Sequence, residues 1–414
     1  MRIYVEAYGC WLAKADARIL AQRLGGAVVE SPEGADLVLI YTCAVREDGE
    51  VRQLKRIREL SARGGRLVVA GCLARARPYT IKSAAPQAAL LSPQEVEGGR
   101  ERTMEALPEH DGSPIYVAPL QVGCLGNCTF CITKYTRGGA GYVKSARPDL
   151  VVEAVKRAVE RGAREIYLTG QDVATYGYDA GWRDGWTLPD LLEKILSRVE
   201  GDYRIRVGMS EPWVFGKFVD RLLDIVKNDE RVYRYFHLPV QSGSDRVLKA
   251  MGRKYTVDEY KELVSRIKRA LNDDVFIATD VIVGFPGEGE EDFEATLRLM
   301  EELQFDKVHV ARYSRRPFTE AAIMPGQVPD AVKKERSRKA SELALRLALQ
   351  RNSRLIGRRI KVLVDEVDHG LLVGRAHDYR QVVVGRSEGR ARLGYFVEVE
   401  IKRAEPVYLW ALDG

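Results

Sequence analysis

The sequence predicts an α/β protein with an N-terminal parallel α/β domain, a central partial (β/α)6 barrel and a small all-β barrel at the C-terminal end. Three observations predict this class. Strand-like and helix-like segments alternate from the first residues onward, six further strand candidates with helical patterns between them follow, and short β runs fill the end of the chain. Alternating strands and helices are typical of parallel sheets, whose strands need a crossover connection.

Length and composition indicate a globular protein with several domains. The chain of 414 residues has room for two to four domains. We place them at residues 1–107, 108–328 and 354–414, with a linker helix at 329–353. Hydrophobic residues make up 45% and charged residues 30% of the chain, which excludes disordered and collagen-like proteins. No apolar run reaches the roughly 18–20 residues of a membrane span, and the N-terminus does not read as a signal peptide, so we expect a cytoplasmic protein.

The N-terminal domain places one cysteine after each of three predicted strands. These are Cys10, Cys43 and Cys72. Ligand sites in parallel sheets lie beyond the carboxyl ends of the strands. Three equivalently placed thiols therefore favour a shared metal site over three unrelated core cysteines. The predicted strands are Arg2–Ala7, Leu37–Thr42 and Arg66–Ala70, and the predicted helices are Leu12–Leu24 and Val45–Ala62.

The central domain follows a polar linker at Pro108–Pro114. Its repeated pattern predicts six β/α units, which form a barrel that is open where a complete TIM barrel would close. The predicted strands are Ile115–Leu120, Glu165–Thr169, Arg204–Gly208, Tyr235–Pro239, Val275–Val283 and Lys307–Tyr313, and helical patterns cover Asp149–Gly162, Gly216–Asn228, Thr256–Leu271 and Glu290–Leu303.

A concentrated basic segment precedes the C-terminal β region. Between Ala331 and Arg359 there are ten Lys or Arg residues and two Glu residues, a balance of +8 against +6 for the whole chain. We predict a helix from Pro329 to about Arg354 and a polyanionic partner, above all a nucleic acid. A solvated helix face is the simpler alternative. The β runs that follow are typical of a small nucleic-acid-binding barrel, and they are Ile360–Val364, Leu371–Gly374, Gln381–Gly385 and Tyr395–Ile401.

Cys124, Cys128 and Cys131 form a C-x3-C-x2-C motif directly after the first barrel strand. In a cytosolic protein such cysteines favour metal or redox chemistry over disulfides. A structural zinc site needs a fourth ligand, and no further cysteine or histidine lies nearby in the sequence. Three thiolates can hold three irons of a four-iron cluster and leave the fourth iron open for a substrate or cofactor.

This spacing, with Phe130 before the last cysteine, resembles the signature of radical S-adenosylmethionine (SAM) enzymes. With the three-cysteine N-terminal domain and the C-terminal β module, the whole chain resembles the methylthiotransferases. The segment Gly374–Val384 resembles the TRAM RNA-binding module. The other matching blocks are Tyr8–Cys10, Thr42–Glu47, Gly71–Leu73, Gly170–Asp172, His237–Ser244 and Asp280–Glu288.

The resemblance implies two [4Fe–4S] clusters and SAM as cofactors. The cluster of the C-x3-C-x2-C motif would bind SAM for reductive cleavage to a deoxyadenosyl radical, and an auxiliary cluster on the three N-terminal cysteines would carry the sulfur. The implied target is the C2–H of an adenine in tRNA, which is too weakly acidic for a side-chain base, so a radical cofactor would supply the missing reactivity. The implied partners are the tRNA anticodon stem-loop, a flavodoxin- or ferredoxin-like electron donor and a sulfur donor.

The resemblance also suggests residues that contact SAM. Gly170 and Gln171 match the place where the family contacts the SAM amino group. Ser210 ends the third barrel strand and Gln241 follows the fourth, so both are expected to face the same mouth of the barrel. Capping of strand ends is the alternative role for these residues.

Finer matches favour the archaeal and eukaryotic branch of the family, whose members act on threonylcarbamoyl-adenosine beside the anticodon. The matching segments are Gly123–Lys134 with Arg137–Gly138, Arg206–Pro212 and Phe236–Pro239. The carboxylate of that nucleoside needs a charged or hydrogen-bonding partner when it is desolvated. Candidates for this partner, unless they are surface charges or phosphate contacts, are Lys134, Arg137, Arg253 and Arg312.

Three alternative functions remain open. A methylthiotransferase could act on isopentenyl-adenosine in tRNA or on an aspartate of a ribosomal protein. Residues 353–414 hold eleven Lys or Arg against nine Asp or Glu, which favours RNA. A non-catalytic iron–sulfur protein that binds RNA is the alternative of a different class.

Two positions depart from the family pattern. Ala13 and Tyr41 stand where the family usually has Asn. Both positions would lie near the auxiliary cluster, where hydrogen bonds from surrounding residues tune a metal site. We therefore expect the potential or accessibility of that cluster to differ here.

Overall fold

The computed structural model describes residues 1–96, 107–183, 185–387 and 392–412. Residues 97–106 of the predicted N-terminal domain and residues 388–391 and 413–414 of the predicted C-terminal module lie outside the described residues. The described chain is a mixed α/β protein with a sheet-rich C-terminal region. None of the described helices combines the length and the apolar character that crossing a membrane requires.

The N-terminal part is a five-stranded parallel sheet with helices on both faces. Its elements are β1 (Arg2–Ala7), α1 (Trp11–Arg23), β2 (Ala27–Val29), β3 (Leu37–Thr42), α2 (Glu47–Ala62), β4 (Arg66–Gly71), α3 (Cys72–Ala76), α4 (Pro78–Ala84), β5 (Ala89–Leu91) and α5 (Pro93–Val96). The strand order β2-β1-β3-β4-β5 makes the three strands that precede cysteines neighbours. Leu39 packs with α1 residues on one face and Ile40 with α2 residues on the other, which is why β3 is apolar along its whole length.

The central part contains six parallel strands in two three-stranded sheets. Its elements are β6 (Ile115–Pro119), β7 (Gln121–Gly123), α6 (Thr133–Thr136), β8 (Val143–Ser145), α7 (Pro148–Glu160), β9 (Glu165–Thr169), α8 (Leu188–Arg198), β10 (Arg204–Val207), α9 (Pro212–Phe215), α10 (Val219–Asn228), β11 (Tyr235–His237), α11 (Asp245–Ala250), α12 (Val257–Ala270), β12 (Phe276–Val283), α13 (Glu290–Leu303) and β13 (Lys307–Arg312). The sheets have the orders β10-β9-β6 and β11-β12-β13. Ile205 joins them, because its N–H donates to Arg231 at 2.6 Å and its carbonyl accepts from Tyr233 at 3.0 Å.

One helical prediction for this part needs correction, and one helix was not among those named. Helix α8 was not predicted, although a capping box between Thr187 and Asp190 marks its start. The predicted helix Gly216–Asn228 is shorter in the structure, where α10 begins only at Val219. The separate turn α9, whose first N–H groups Glu211 caps, ends just before that region.

The C-terminal part is a long helix followed by a six-stranded sheet. Its elements are α14 (Asp330–Ser353), β14 (Arg359–Asp368), β15 (Leu371–Ala376), β16 (Gln381–Arg386), β17 (Tyr395–Glu400), β18 (Arg403–Ala404) and β19 (Tyr408–Trp410). The strand order is β17-β14-β15-β16-β19-β18. Leu343 and Leu347 of α14 are buried, whereas Leu345 and Leu349 are exposed, so the helix packs with one stripe only.

The C-terminal part shares a core with the central strands. The Tyr379 hydroxyl donates to the Tyr167 hydroxyl at 2.7 Å, and the Tyr379 ring lies 4.8 Å from the ring of Tyr235. Arg351 of α14 donates to the buried carboxylate of Asp306 at 2.8 Å. Aromatic packing of this kind makes the C-terminal sheet a structural component of the central part.

Candidate functional site

A large cavity of about 910 Å³ is lined by residues from all three parts of the chain. All six cysteines contribute to its wall. It reaches the carboxyl ends of the parallel strands, where ligands bind in α/β sheets. The fold thus brings two cysteine triplets that are distant in the sequence to a single space.

The N-terminal triplet is built at the ends of three neighbouring strands. Cys10 lies three residues after β1, Cys43 follows β3 directly, and Cys72 begins α3 after β4. Gly9 has φ +108°, and a Cβ there would lie 2.9 Å from the Cβ of Cys43. Gly71 has φ +98°, and a Cβ there would lie 2.5 Å from a backbone oxygen of β3. Only glycine lets the chain turn this tightly beside its neighbours.

The second triplet lies on the loop between β7 and β8. Antiparallel pairing of these two short strands closes the loop. The N–H of Gly126 donates to Sγ of Cys124 at 3.2 Å, and the guanidinium of Arg253 donates to Sγ of Cys128 at 3.3 Å. Donors to sulfur stabilise the thiolate, which is the form that binds metal.

The donor chemistry of both triplets fits iron–sulfur clusters. Burial raises the pKa of Cys43 to about 11, and burial also raises the pKa values of Cys10, Cys124 and Cys128. Cys10 is open to the cavity but otherwise enclosed by protein. Neighbouring thiols within each triplet add to these shifts, because thiolate charges repel one another. A bound metal centre removes this cost, since its positive charge stabilises the thiolates.

Arg137 belongs to the loop of the second triplet and lies close to the first triplet. It follows α6, which packs against α3 and therefore close to Cys72. Its fully buried guanidinium donates to Asp16 at 2.6 Å and to the Tyr41 hydroxyl at 3.3 Å, and Tyr41 donates to the same Asp16 oxygen at 2.8 Å. The positive charge of Arg137 opposes the rise in the pKa of Cys10 that burial causes. A cation from the loop of the second triplet thus lowers the pKa of a thiol in the first triplet.

The four predicted SAM contacts differ in their placement. Gly170, Gln171 and Gln241 line the cavity, and the Gln171 side-chain oxygen accepts from the N–H of Gly123. Gln241 has φ +73°, and its buried side-chain oxygen has no donor within the described residues. Ser210 is buried with a similarly unpartnered hydroxyl, but it is not part of the cavity wall. An unpartnered acceptor at the wall fits a polar cofactor.

A chain of polar contacts supports the second triplet. Asp172 accepts from the N–H of Glu211 at 2.9 Å, and the Glu211 carboxylate lies 3.1 Å from Arg253, which reaches Cys128. Burial raises the pKa of Asp172 to about 8. The charge of ionised Asp172 raises the pKa of Cys124, and burial limits this effect because it favours the protonated carboxyl group.

The four cations proposed for a substrate carboxylate differ in their availability. Arg137 and Arg253 are already engaged in the ion pairs described above. Lys134 lines the cavity, with its Nζ 3.1 Å from the Glu320 carboxylate. Arg312 is exposed at the end of β13 and lies outside the cavity wall.

Sequence reasoning missed the polar residues on the inner face of the central strands. These residues line the cavity, and they are Arg206, His237, Asp280, Lys307 and His309. The ligand-forming atoms of His237, Asp280 and His309 lie within 4.8 Å of one another. Burial and the charges of Lys307 and Arg206 lower the pKa of His309 to about 4 although Asp280 opposes this, so its ring is neutral at pH 7. The available signal was the period-2 spacing of polar residues, as in Lys307 and His309.

Comparisons with known proteins agree with this geometry. Residues 2–92 match the model of the uncharacterized protein family UPF0004, and residues 119–300 match that of the radical SAM superfamily. A "probable threonylcarbamoyladenosine tRNA methylthiotransferase" of Pyrococcus horikoshii is 36% identical over 99% of this chain and 98% of its own length. The protein of the same name in Archaeoglobus fulgidus is 38% identical over 99% and 98%. The chain belongs to the radical-SAM methylthiotransferases.

Other relatives in the family carry a different name. A "tRNA-2-methylthio-N(6)-dimethylallyladenosine synthase" of Moorella thermoacetica is 35% identical over 99% of this chain and 97% of its own length. The solved structure of the radical SAM methyltransferase TsrM of Kitasatospora setae has a TM-score of 0.54 at 13% identity and covers 78% of this chain and 74% of its own. That likeness shows the radical-SAM fold.

Family membership also gives the cofactors. A radical-SAM methylthiotransferase uses SAM and two [4Fe–4S] clusters to transfer a methylthio group. Two separate sets of three thiols, each open to the cavity, are the donor sets that such clusters require.

Proposed function

We propose that this enzyme adds a methylthio group to C2 of N6-threonylcarbamoyladenosine beside the anticodon of tRNA. The cavity that both cysteine triplets line carries this proposal. Alignment over the whole chain with archaeal relatives named for this nucleoside supports it. Because both triplets face one space, a single adenine could meet the radical source and the sulfur source together.

The residue roles follow from the contacts around each triplet. The C-x3-C-x2-C triplet holds the SAM-binding cluster, and the N-terminal triplet holds the auxiliary cluster. When bound, these cofactors supply the radical chemistry and the sulfur. Arg253 steadies the loop at Cys128, Gln171 fixes the loop entrance at Gly123, and Gln241 offers an acceptor to SAM.

The finer architecture is part of the same proposal. The six central strands form one open (β/α)6 barrel, and the hydrogen bonds at Ile205 that join the two sheets support this. The C-terminal sheet is a TRAM-like RNA-binding module, and the domains cover residues 1–107, 108–328 and 354–414 with a linker helix at 329–353. An electron donor and a sulfur donor complete the partners, and we expect an enzyme with a tRNA substrate to lie in the cytoplasm.

The character of the cavity favours the threonylcarbamoyl nucleoside over the isopentenyl one. An isopentenyl group needs an apolar slot, whereas the inner strand face carries two cations, two histidines and a carboxylate. A threonylcarbamoyl group can pair its carboxylate with the two cations, whereas an isopentenyl group would leave them without an anion. The relatives named for dimethylallyladenosine keep that nucleoside as the second candidate.

A competition experiment tests this function. The reconstituted enzyme, a strong reductant and SAM are combined with tRNA that carries either threonylcarbamoyl-adenosine or isopentenyl-adenosine, and the nucleosides are analysed by mass. We expect methylthio product from the threonylcarbamoyl form and at least about 100-fold less from the other, because a polar site rejects an apolar analogue strongly. Equal product from both would contradict the assignment of the nucleoside.

Two triple variants serve as controls for the cluster assignment. Alanine replaces all three cysteines of one triplet or of the other. Each variant should keep roughly half of the about eight irons that two four-iron clusters hold, and neither should form product. Only the variant of the C-x3-C-x2-C triplet should also lose the release of deoxyadenosine. Full iron content in either variant would contradict the assignment.

A further inference from the structure

The inner strand face holds two cations without acidic partners. Lys307 and Arg206 both line the cavity. Within the described residues no hydrogen bond or ion pair engages Lys307, and the only side-chain hydrogen bond of Arg206 goes to the Tyr235 hydroxyl at 3.1 Å. Lys307 is exposed at the cavity wall and Arg206 is half-buried there, so both charges are accessible to an anion that enters the cavity.

The register of β12 and β13 shows which side chains of these strands face the cavity. In the parallel pair of β12 and β13, Ala278 lies beside Lys307 and Asp280 beside His309. Side chains two residues apart share one face of a strand, so Lys307 and His309 both face the cavity. Asp280 makes no ion pair with Lys307 within the described residues, and its carboxylate contacts the His237 ring at 3.1 Å.

Arg206 is held in place by aromatic rings. Its guanidinium lies 4.7 Å from the ring centre of Tyr235, 5.0 Å from that of Tyr379 and 5.4 Å from that of Tyr167. Rings attract a cation through their faces but carry no net charge. Arg206 is therefore positioned rigidly while its charge remains available.

The two charged groups that act most strongly on Lys307 are guanidinium groups. Burial, together with the guanidinium groups of Arg375 and Arg206, lowers the pKa of Lys307. The charge of Arg375 is itself offset by Asp365 at 3.1 Å and Glu366 at 2.8 Å. An anion placed between Lys307 and Arg206 would relieve this repulsion.

We propose that Lys307 and Arg206 form a carboxylate-binding pocket for the threonylcarbamoyl group of the substrate. This inference rests on the proposed function. The carboxylate of that group lies several bonds away from C2, so the two need not lie at the same depth of the cavity that the cysteines and Lys307 line. SAM also carries a carboxylate, but the family binds it at the open iron beside the cysteine loop, whereas Lys307 begins its strand at the opposite, amino end.

The test compares two anticodon stem-loop RNAs that differ in one group. One carries the threonylcarbamoyl carboxylate and the other the neutral carboxamide, and kcat/KM is measured for the wild type, Lys307→Met and Lys227→Met. We expect the wild type to prefer the carboxylate RNA by about 10- to 100-fold, which is the effect of one charged hydrogen bond. Lys307→Met should lose this preference through lower activity on the carboxylate RNA alone. Lys227 is an exposed lysine on the outer helix α10, so Lys227→Met should behave as the wild type.

Several outcomes would overturn the pocket. A preference that survives in Lys307→Met would place the partner of the carboxylate elsewhere. An equal loss on both RNAs would indicate a phosphate contact or a general structural effect, and weaker SAM binding in equilibrium dialysis would indicate the carboxylate of SAM. If the wild type cleaves SAM but forms no methylthio product from either RNA, the proposed function fails and the pocket with it.

Stability gives a readout that is independent of activity. Removing one of several like charges should leave the Tm of Lys307→Met and of Lys307→Gln equal to that of the wild type or higher. A lower Tm in both variants would mean that Lys307 supports the fold, which would overturn the proposed binding role.

Discussion

Arg137 and Tyr41 link a departure from the family pattern to the surroundings of the N-terminal cysteines. The resemblance led us to expect Asn at the position of Tyr41, and the Tyr41 hydroxyl donates to Asp16, the partner of Arg137. The three side chains form a buried group close to Cys10 and Cys72. The predicted change near the auxiliary cluster stays a prediction, and its physical basis would be the buried Arg137–Asp16 ion pair, to which the Tyr41 hydroxyl donates.

Replacing Arg137 should shift the potential of the auxiliary cluster. A cation favours the reduced, more negative state of a nearby cluster, so Arg137→Met should lower its reduction potential, by on the order of 100 mV for a charge several ångströms away. Arg137→Lys keeps the charge and should restore most of the shift. The measurement is a redox titration of both clusters followed by electron paramagnetic resonance.

A second buried ion pair provides the control. Arg316 pairs with Glu50 between the same two parts of the chain. Arg316→Met should also cost stability, because the buried Glu50 would keep only its longer contact with Arg77 at 3.4 Å, and Arg137→Met removes the cation that pairs with Asp16. Only Arg137→Met should change the reduction potential of the auxiliary cluster. An unchanged potential in Arg137→Met would limit that residue to a structural role.

At the scale of single elements, the turn from β4 into α3 sets the position of the third N-terminal cysteine. Gly71 has φ +98° and ψ −163°, a region that is essentially restricted to glycine. An added Cβ would also lie 2.7 Å from an atom of the Tyr41 ring. The turn therefore depends on the absence of a side chain for two separate reasons.

Gly71→Ala should disturb the auxiliary cluster selectively. We expect the free energy of unfolding to fall by about 3 kcal/mol or more, because the backbone strain and the steric clash add to each other. The iron content should fall by roughly half. Gly64→Ala is a matched control, since Gly64 has φ +76° but a Cβ there would meet nothing within 4 Å. That variant should lose only about 1 kcal/mol and keep all its iron. Tm and iron analysis measure both effects, and similar results for the two variants would contradict the argument.

At the scale of the whole molecule, the C-terminal sheet and the central strands depend on each other. Tyr379, Arg375 and Asp365 of the sheet pack around Glu165, Tyr167 and their neighbours. A deletion from Arg354 onward would expose these buried groups. Such a deletion would therefore test the stability of the barrel as well as RNA binding.

A buried acid pair at this junction predicts a dependence of stability on pH. Burial and the nearby Asp365 carboxylate raise the pKa of Glu165 well above its usual value, while Arg375 and Tyr233 oppose the shift. The folded protein thus keeps a proton that the unfolded chain releases above about pH 4.5. The free energy of unfolding should fall as the pH rises from there, by up to about 1.4 kcal/mol per pH unit.

Glu165→Gln should remove this dependence, because an amide keeps a donor at every pH. The Tm of the variant relative to the wild type should rise between pH 6 and pH 9. Glu160→Gln, at an exposed position on α7, is the control and should follow the wild type. If the difference in Tm between Glu165→Gln and the wild type stays constant from pH 6 to pH 9, the carboxyl groups of Glu165 and Asp365 do not share a proton.

The sequence by itself determined the order of the elements and the two cysteine triplets. Strands and helices of the parallel sheets were predictable because hydrophobic periodicity is a local property. Cys10, Cys43 and Cys72 were recognisable as a set because each follows a strand. Helix α8 and the short edge strands were missed, since a capping signal or three residues of strand give a weak local pattern.

Tertiary structure alone decided which charged residues are available to a ligand. The basic segment has a high charge density in the sequence, yet Arg336 and Arg351 are buried in ion pairs with Glu288 and Asp306. Arg137 is occupied in the same way, whereas Lys307 faces the cavity without an acidic partner in the described residues. Pairing of charges depends on distances between side chains that are far apart in the sequence, and only the folded chain sets those distances.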